Sequence, residues 1–412
     1  MIKKLIILVL VILIIVSLGI IGYLIYKQNH PNSLTMTPVS QPSLPNPFPI
    51  AESNQLASTT GLITTSSSSI MLTEEEVPAV TSNKLSLNQL SVVGLATIPW
   101  GKNTKTVFVD RGSGNLYSLD GQNNLFRQTN TTITEVGEVI WGNDLKNWQL
   151  ILRQVKDGQI IDRLGQLKIS SSSVMSDLKL NDWPYNPLVI AVSPDKQRLA
   201  YLTTTTNLNS DLYLSDWSFK KTKKIWSSPL ADWDIAWPSS NLVTIINRPT
   251  FDQPGSLYFL DLTTNQEKRI LNNINGLSAK TSPDGQKIIF SKSLLSSFNL
   301  YFHDKNTGTS SLSELNTLPD KCTWSDKEIL YCAIPKSIPT GRYPDDWYLG
   351  RISFADDLWK IDLKQKTTTQ IAKLKGNYDL INLTANEQTG WLYAINKVDN
   401  TLQAFSLRPE TF

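Results

Sequence analysis

Histidine and cysteine are almost missing from this chain of 412 residues, which holds only His30, His303, Cys322 and Cys332. Serine triads with a histidine base, Cys/His zinc clusters and histidine acid/base chemistry therefore have little raw material. An excess of charge of one sign is missing too. The 39 basic residues face 36 acidic ones, a formal net charge of +3, so no field gathers nucleic acid onto the surface. Helical periodicity is missing beyond Lys84, and no Gly-x-Ser-x-Gly nucleophile elbow occurs, which excludes a serine peptidase. These absences lead to the expectation of a protein that is not an enzyme, uses no cofactor and binds no metal.

The N-terminus carries the one long apolar run. Lys3 and Lys4 precede residues 5–26, interrupted only by Ser17, Gly19 and Gly22. At ~1.5 Å per residue such a run crosses the ~30 Å core of a bilayer and exceeds the apolar core of a secretory signal. It reads as a transmembrane signal-anchor helix, with a cleaved signal as the alternative. The two lysines hold residues 1–4 as a cytoplasmic stub and send the remainder across. Residues 27–83 follow, rich in Pro, Ser and Thr (Pro38, Pro42, Pro45, Pro47, Pro49), and read as a flexible linker spanning on the order of 40 Å. Residues 84–412 are then extracytoplasmic, at a cell surface or in a periplasm.

From Lys84 onward short runs of Val, Ile, Leu, Thr, Tyr and Trp alternate with Gly, Asn, Asp, Ser and Pro, the pattern of an all-β region. A period of roughly 40–50 residues marks a propeller. One motif joins a small polar residue to Leu and an aromatic, with Asp three residues on: Asn115-Leu116-Tyr117 with Asp120, Asp211-Leu212-Tyr213 with Asp216, Ser256-Leu257-Tyr258 with Asp261, Asn299-Leu300-Tyr301 with Asp304, and Asp357-Leu358-Trp359 with Asp362. A second motif is a turn, as in Ser193-Pro194-Asp195 and Ser282-Pro283-Asp284-Gly285, where Pro presets φ and Asp and Gly take the remaining positions. Aligned turns give anchors at Trp100, Trp141, Val192, Trp237, Thr281, Trp324 and Leu383. The expectation is a seven-bladed β-propeller of four-stranded antiparallel blades, its last blade closed by an N-terminal strand at Leu85–Leu90.

The Ser-Pro-Asp turns, followed by Lys287-Ile288-Ile289-Phe290 and Arg198-Leu199-Ala200-Tyr201, resemble the WD40-like repeats of the TolB-type propeller family over roughly residues 85–412. The resemblance implies a propeller that serves as a binding platform, and it leaves the function open. TolB proteins carry an α/β domain before the propeller, which this chain lacks, so their partners are not carried over.

Cys322 and Cys332 lie almost symmetrically about Ser325-Asp326-Lys327. A hairpin centred there sets them opposite each other, where either a disulfide or two reduced core thiols fit. In the same blade the repeat is interrupted from Ile334 to Asp356. Arg342, Tyr343, Asp345, Asp346, Trp347, Tyr348 and Arg351 give this segment the composition of a partner-binding loop. The other reading is that Trp347 and Tyr348 plug one face of the propeller. Trp183, Tyr185 and Trp233, near blade junctions, form a second-choice surface. Asp120, Asp216, Asp261, Asp304 and Asp362 recur with the strand motif and read as turn formers. The favoured function is a non-catalytic protein-interaction scaffold of the cell envelope, its partner an envelope or surface protein. The alternative is a carbohydrate-binding or glycan-cleaving propeller at the cell surface, for which a carboxylate pair beside aromatic side chains is the signature.

Overall fold

The structure, a computed structural model, describes residues 84–100, 103–143, 147–168, 178–183, 187–205 and 209–407. The expected anchor over 5–26 and linker over 27–83 lie outside the described residues. Among the described residues no helix is long and apolar enough to cross a membrane.

The fold is an all-β propeller in which antiparallel strands follow one another in chain order. β1 (Lys84–Trp100), β2 (Asn103–Asp110), β3 (Leu116–Leu119) and β4 (Leu125–Arg127) open the ring. The first separate blade is β5 (Val136–Asn143), β6 (Asn147–Lys156), β7 (Gln159–Lys168) and β8 (Lys179–Asp182); the second is β9 (Val189–Val192), β10 (Arg198–Thr204), β11 (Ser210–Asp216) and β12 (Lys223–Ser228). The third is β13 (Trp233–Ser239), β14 (Leu242–Asn247), β15 (Pro254–Asp261) and β16 (Glu267–Asn275). The fourth is β17 (Ala279–Thr281), β18 (Lys287–Ser293), β19 (Phe298–Asp304) and β20 (Thr309–Leu312); the fifth is β21 (Cys322–Trp324), β22 (Ile329–Pro335), β23 (Asp356–Asp362) and β24 (Thr367–Ala372). β25 (Leu380–Asn386), β26 (Trp391–Asn396) and β27 (Thr401–Ser406) then rejoin β1 in a seven-stranded sheet ordered β25-β26-β27-β1-β2-β3-β4.

This corrects the expectation of seven separate four-stranded blades. Five stand alone, and the rest of the ring is one continuous sheet. The cause is β1. Lys84, Leu85 and Ser86 pair with Phe405, Ala404 and Gln403, whereas Val92 to Trp100 pair with Asp110 to Asn103. Gly94, at φ +66°, sits within the register shift between Val93 and Ala96, a backbone position that side-chain-bearing residues resist. The stretch Leu85–Leu90 does lie beside β27 as the fourth strand after β25, β26 and β27, but it does not end there. It is the first part of a 17-residue strand that serves both neighbours.

The blades are held by apolar faces pressed together around a channel that the innermost strands surround. β6 shows the consequence: Trp148 to Arg153 are buried without alternation, because both faces of a strand in mid-blade meet neighbouring blades. β13 alternates instead. Trp233, Ile235 and Trp237 are buried between blades while Asp234 and Ala236 face the channel. Two of the anchor tryptophans tie a blade to the inner strand before it, Trp141 Nε1 donating to the Gly94 carbonyl and Trp324 Nε1 to that of Lys280, 3.3 Å away.

The repeat turns work through their own side chains. In one, Asp195 Oδ1 accepts from Ser193 Oγ and from Gln197 N, and Ser193 Oγ accepts from Arg198 N at 2.9 Å. Ser282, Asp284, Gln286 and Lys287 repeat the pattern, with Gly285 at φ +73°. Asp120, Asp261 and Asp304 each accept two backbone N–H groups in the turns after their strands. Cys322 and Cys332 are directly paired across β21 and β22 and joined as a disulfide, Cα–Cα 4.1 Å. A bridge over so short a loop contributes roughly 2–3 kcal/mol.

Turns between first and second, and third and fourth, strands open on one face of the ring, here the lower. Turns between second and third strands, and the links between blades, open on the upper face.

Candidate functional site

The interruption between β22 and β23 lies on the upper face and is packed, not free. Its one helical turn, α1 (Asp345–Tyr348), follows Tyr343-Pro344. Tyr343 and Trp347 are buried with Phe298, Leu318 and Phe354 in one apolar cluster. Tyr343 stacks on Phe354 at 5.8 Å between ring centroids, and burial pushes its phenol up to about 12. Asp345 Oδ2 accepts from the Phe251 backbone, and Arg342 pairs with Asp252 at 3.0 Å while lying over the Phe251 ring. Asp346 accepts from Arg342 N and pairs with Arg351 at 3.1 Å, and both interactions hold its carboxyl below the usual range. The segment thus spans from the third blade to the last strands of the ring.

Beneath α1 lies a buried ionic knot. Lys321 Nζ meets Asp356 Oδ2 at 2.8 Å and also Asp379, and all three side chains are closed to water. Trp347 Nε1 donates to Asp379 Oδ2 at 2.9 Å, and the Lys321 ammonium lies 5.4 Å from the Trp347 ring centre. Lys397 Nζ donates to the Trp347 carbonyl at 2.6 Å. Burial raises the Asp356 carboxyl to about 6 in spite of the Lys321 charge. The knot fixes the segment.

Tyr348 differs from the rest of α1. It is 42% exposed, and its hydroxyl donates to Asp320 Oδ2 at 2.9 Å, which also accepts from Ser278 Oγ at 2.7 Å. Asp320 belongs to the 3-10 turn Pro319–Lys321 just before β21. Asp234 enters the channel from β13, accepting from Ile235 N at 2.7 Å. Water reaches Asp234, yet the channel walls surround it. That desolvation raises its carboxyl, the Asp320 and Glu138 charges add to the rise, and Arg248 and the Ile235 N–H oppose it. Desolvation likewise keeps Tyr348 protonated far above its ordinary value, with Asp320 reinforcing the effect. Lys280, on the neighbouring inner strand β17, is lowered by burial against the pull of Asp320. Glu138 pairs with Arg153 at 2.9 Å, and Arg153 with Asp162.

The upper mouth of the channel therefore gathers a carboxyl that keeps its proton to higher pH than usual, a second carboxyl bound by two hydroxyls, and a phenol. Two carboxyls in unlike surroundings can divide the roles of proton donor and acceptor. His303, the one histidine described, is bonded to Ser310 between β19 and β20, remote from this mouth. Among the described residues no group of three His, Cys, Asp or Glu side chains converges as a metal site.

Of the residues singled out in the sequence, Tyr348 alone reaches the channel cluster. Trp183 and Trp233 are buried at blade junctions, Trp183 against Tyr201 and Phe219, and Trp233 between Trp226 and Tyr258. Tyr185 lies outside the described residues. Asp234 and Asp320 were missed. Asp234 stood in plain view beside Trp233, but only the inner-strand alternation aims it at the channel. Asp320 carries no local signal.

No family model matches the chain, and no curated protein matches its sequence. Among solved structures it is similar to an oligogalacturonate lyase in complex with manganese, at 11% identity over 81% of this chain and 99% of that one, TM-score 0.49. Streptogramin B lyase matches at 10% identity over 80% and 97%, TM-score 0.48, and TolB from Acinetobacter baumannii at 14% over 76% and 78%, TM-score 0.40. Likenesses this distant show the β-propeller fold alone and do not assign the TolB-type family. The expectation of a chain that is not an enzyme does not follow from the propeller fold, on which lyases are also built. The scarcity of histidine and cysteine was no ground for excluding catalysis, since carboxyls also carry acid/base chemistry. The non-catalytic scaffold reading is corrected with it, as Tyr343 and Trp347 of its contact loop are buried in the propeller and only Tyr348 of its aromatics is exposed.

Proposed function

We propose that the propeller binds a carbohydrate at the upper mouth of its channel and cleaves a glycosidic bond there. Asp234 is the proton donor to the leaving oxygen. Asp320, oriented by the hydroxyls of Tyr348 and Ser278, is the second carboxylate, which takes the proton of the attacking water. The observation that carries this reading is that Asp234 on β13, raised by desolvation, feels the charge of Asp320 from the turn before β21, which accepts from the Tyr348 hydroxyl. Glycoside cleavage is the chemistry that such a pair performs without a histidine base. The substrate reading also fits the apolar run over 5–26, which would hold the propeller at a membrane, outside the cytoplasm, where glycans are met.

The test is incubation of the purified full-length chain with a panel of neutral and charged polysaccharides, counting new reducing ends. Release from at least one polysaccharide, lost in Asp320→Asn and reduced in Tyr348→Phe, supports the proposal. No new reducing ends from any member of the panel would refute it.

A further inference from the structure

On the lower face, a cleft of about 460 Å³ opens between the blade β5–β8 and the blade β9–β12. Its lining departs from the rule of the propeller. Elsewhere at this junction the blades meet through apolar side chains, among them Ile151, Leu199, Tyr201 and Trp217. At the lower rim amides take their place. Gln149 on β6 and Gln166 on β7 are direct cross-strand partners, and Leu164 on β7 pairs with Asn181 on β8. Residues 164 and 166 are two apart on one strand and share a side of the sheet, so the amides of this blade face the cleft together. Gln197, from the turn after β9, closes it from the opposite blade.

The lining selects a ligand class. A carboxamide offers donors and an acceptor in one uncharged group, which matches a hydroxyl that both donates and accepts. Leu164 and Trp217 supply the apolar part of the lining, against which the C–H groups of a sugar ring can pack. Among the described residues no lysine or arginine lines the cleft, and the one charged side chain there, Asp216, disfavours uronates and phosphates. The volume suits a ligand of roughly one or two hexose rings.

We infer that the cleft between β5–β8 and β9–β12 is a binding site for a neutral saccharide, separate from the channel mouth. It extends the carbohydrate reading above but does not require cleavage, because none of its lining residues belongs to the channel cluster.

The experiment is ligand-observed NMR of the full chain with maltose, cellobiose and N,N′-diacetylchitobiose, beside digalacturonate as the charged control. At least one neutral disaccharide should bind and digalacturonate should not compete with it. The double variant Gln166→Leu/Asn181→Leu should weaken that binding at least tenfold, and Asp234→Asn should leave it unchanged. Gln197→Ala, in an exposed turn, should weaken it as well and guards against misfolding of the double variant. No binding of any neutral disaccharide, or unchanged binding in Gln197→Ala and the double variant, overturns the inference. Binding lost in Asp234→Asn would place the sugar at the channel mouth and overturn it equally. Failure of glycan cleavage with this binding intact would count against the channel proposal alone.

Discussion

On the lower face of the propeller, Asp195 and Asp284 are exposed and accept hydrogen bonds from the serine two residues before them and the backbone two residues after. On the upper face, Asp356 and Asp379 are sealed from water around Lys321, and Asp234 feels the charge of Asp320 from another blade. The same residue type thus does local work on one face and long-range work on the other. Several exposed apolar side chains, Leu230, Leu295, Leu349 and Val398, lie on upper-face connections as well. The lower face is repeated and shaped by its own turns. The upper face is assembled from segments far apart in the chain, and there the charges are buried, raised and coupled.

The contrast breaks most sharply at Lys321. Replacing it in Lys321→Met leaves two buried carboxylates without their cation, a loss of about 3–5 kcal/mol in denaturant unfolding. A loss under about 1 kcal/mol would mean that the knot does not hold the upper face.

Acid titration sharpens the comparison next. The Asp356 carboxyl is raised to about 6 in the folded chain, against about 3.9 when unfolded. The folded state therefore holds the proton more tightly, so this contribution to stability is complete below pH ~4 and is lost as pH rises from about 4 through about 6, on the order of 3 kcal/mol. Asp356→Asn cannot titrate, and its stability curve should lack that decline. Parallel curves for the two proteins over this interval would contradict the assignment. The lower face should respond least. Asp284→Ala removes a turn acceptor that water can partly replace, costing about 1 kcal/mol, and a thermal melt would show whether one such turn matters more.

This division also explains what could be read from the residues alone. The Ser-Pro-Asp turns and the recurring Asp after each Leu-aromatic pair were legible because their hydrogen bonds close within five positions. The union of two sheets through β1 was not, since the turn alignment counts anchors and Gly94 looks like any other turn glycine until its φ is known. The segment from Ile334 to Asp356 misled for a related reason. Tyr343 and Trp347 have the composition of a contact surface, and only Phe298, Leu318 and Asp379, brought in from elsewhere, reveal them as buried. Asp320 had no motif to announce it; its significance comes from Tyr348 and Ser278, supplied by two other parts of the ring.

The role of Asp234 as a proton donor at the channel mouth is tested most directly by the pH profile of glycan cleavage by the full chain beside Asp234→Asn. The wild-type rate should fall as pH rises through the elevated range of this carboxyl, and Asp234→Asn should cleave on the order of 100-fold more slowly at the wild-type optimum. Wild-type rates retained in Asp234→Asn, with the same pH profile, would contradict it.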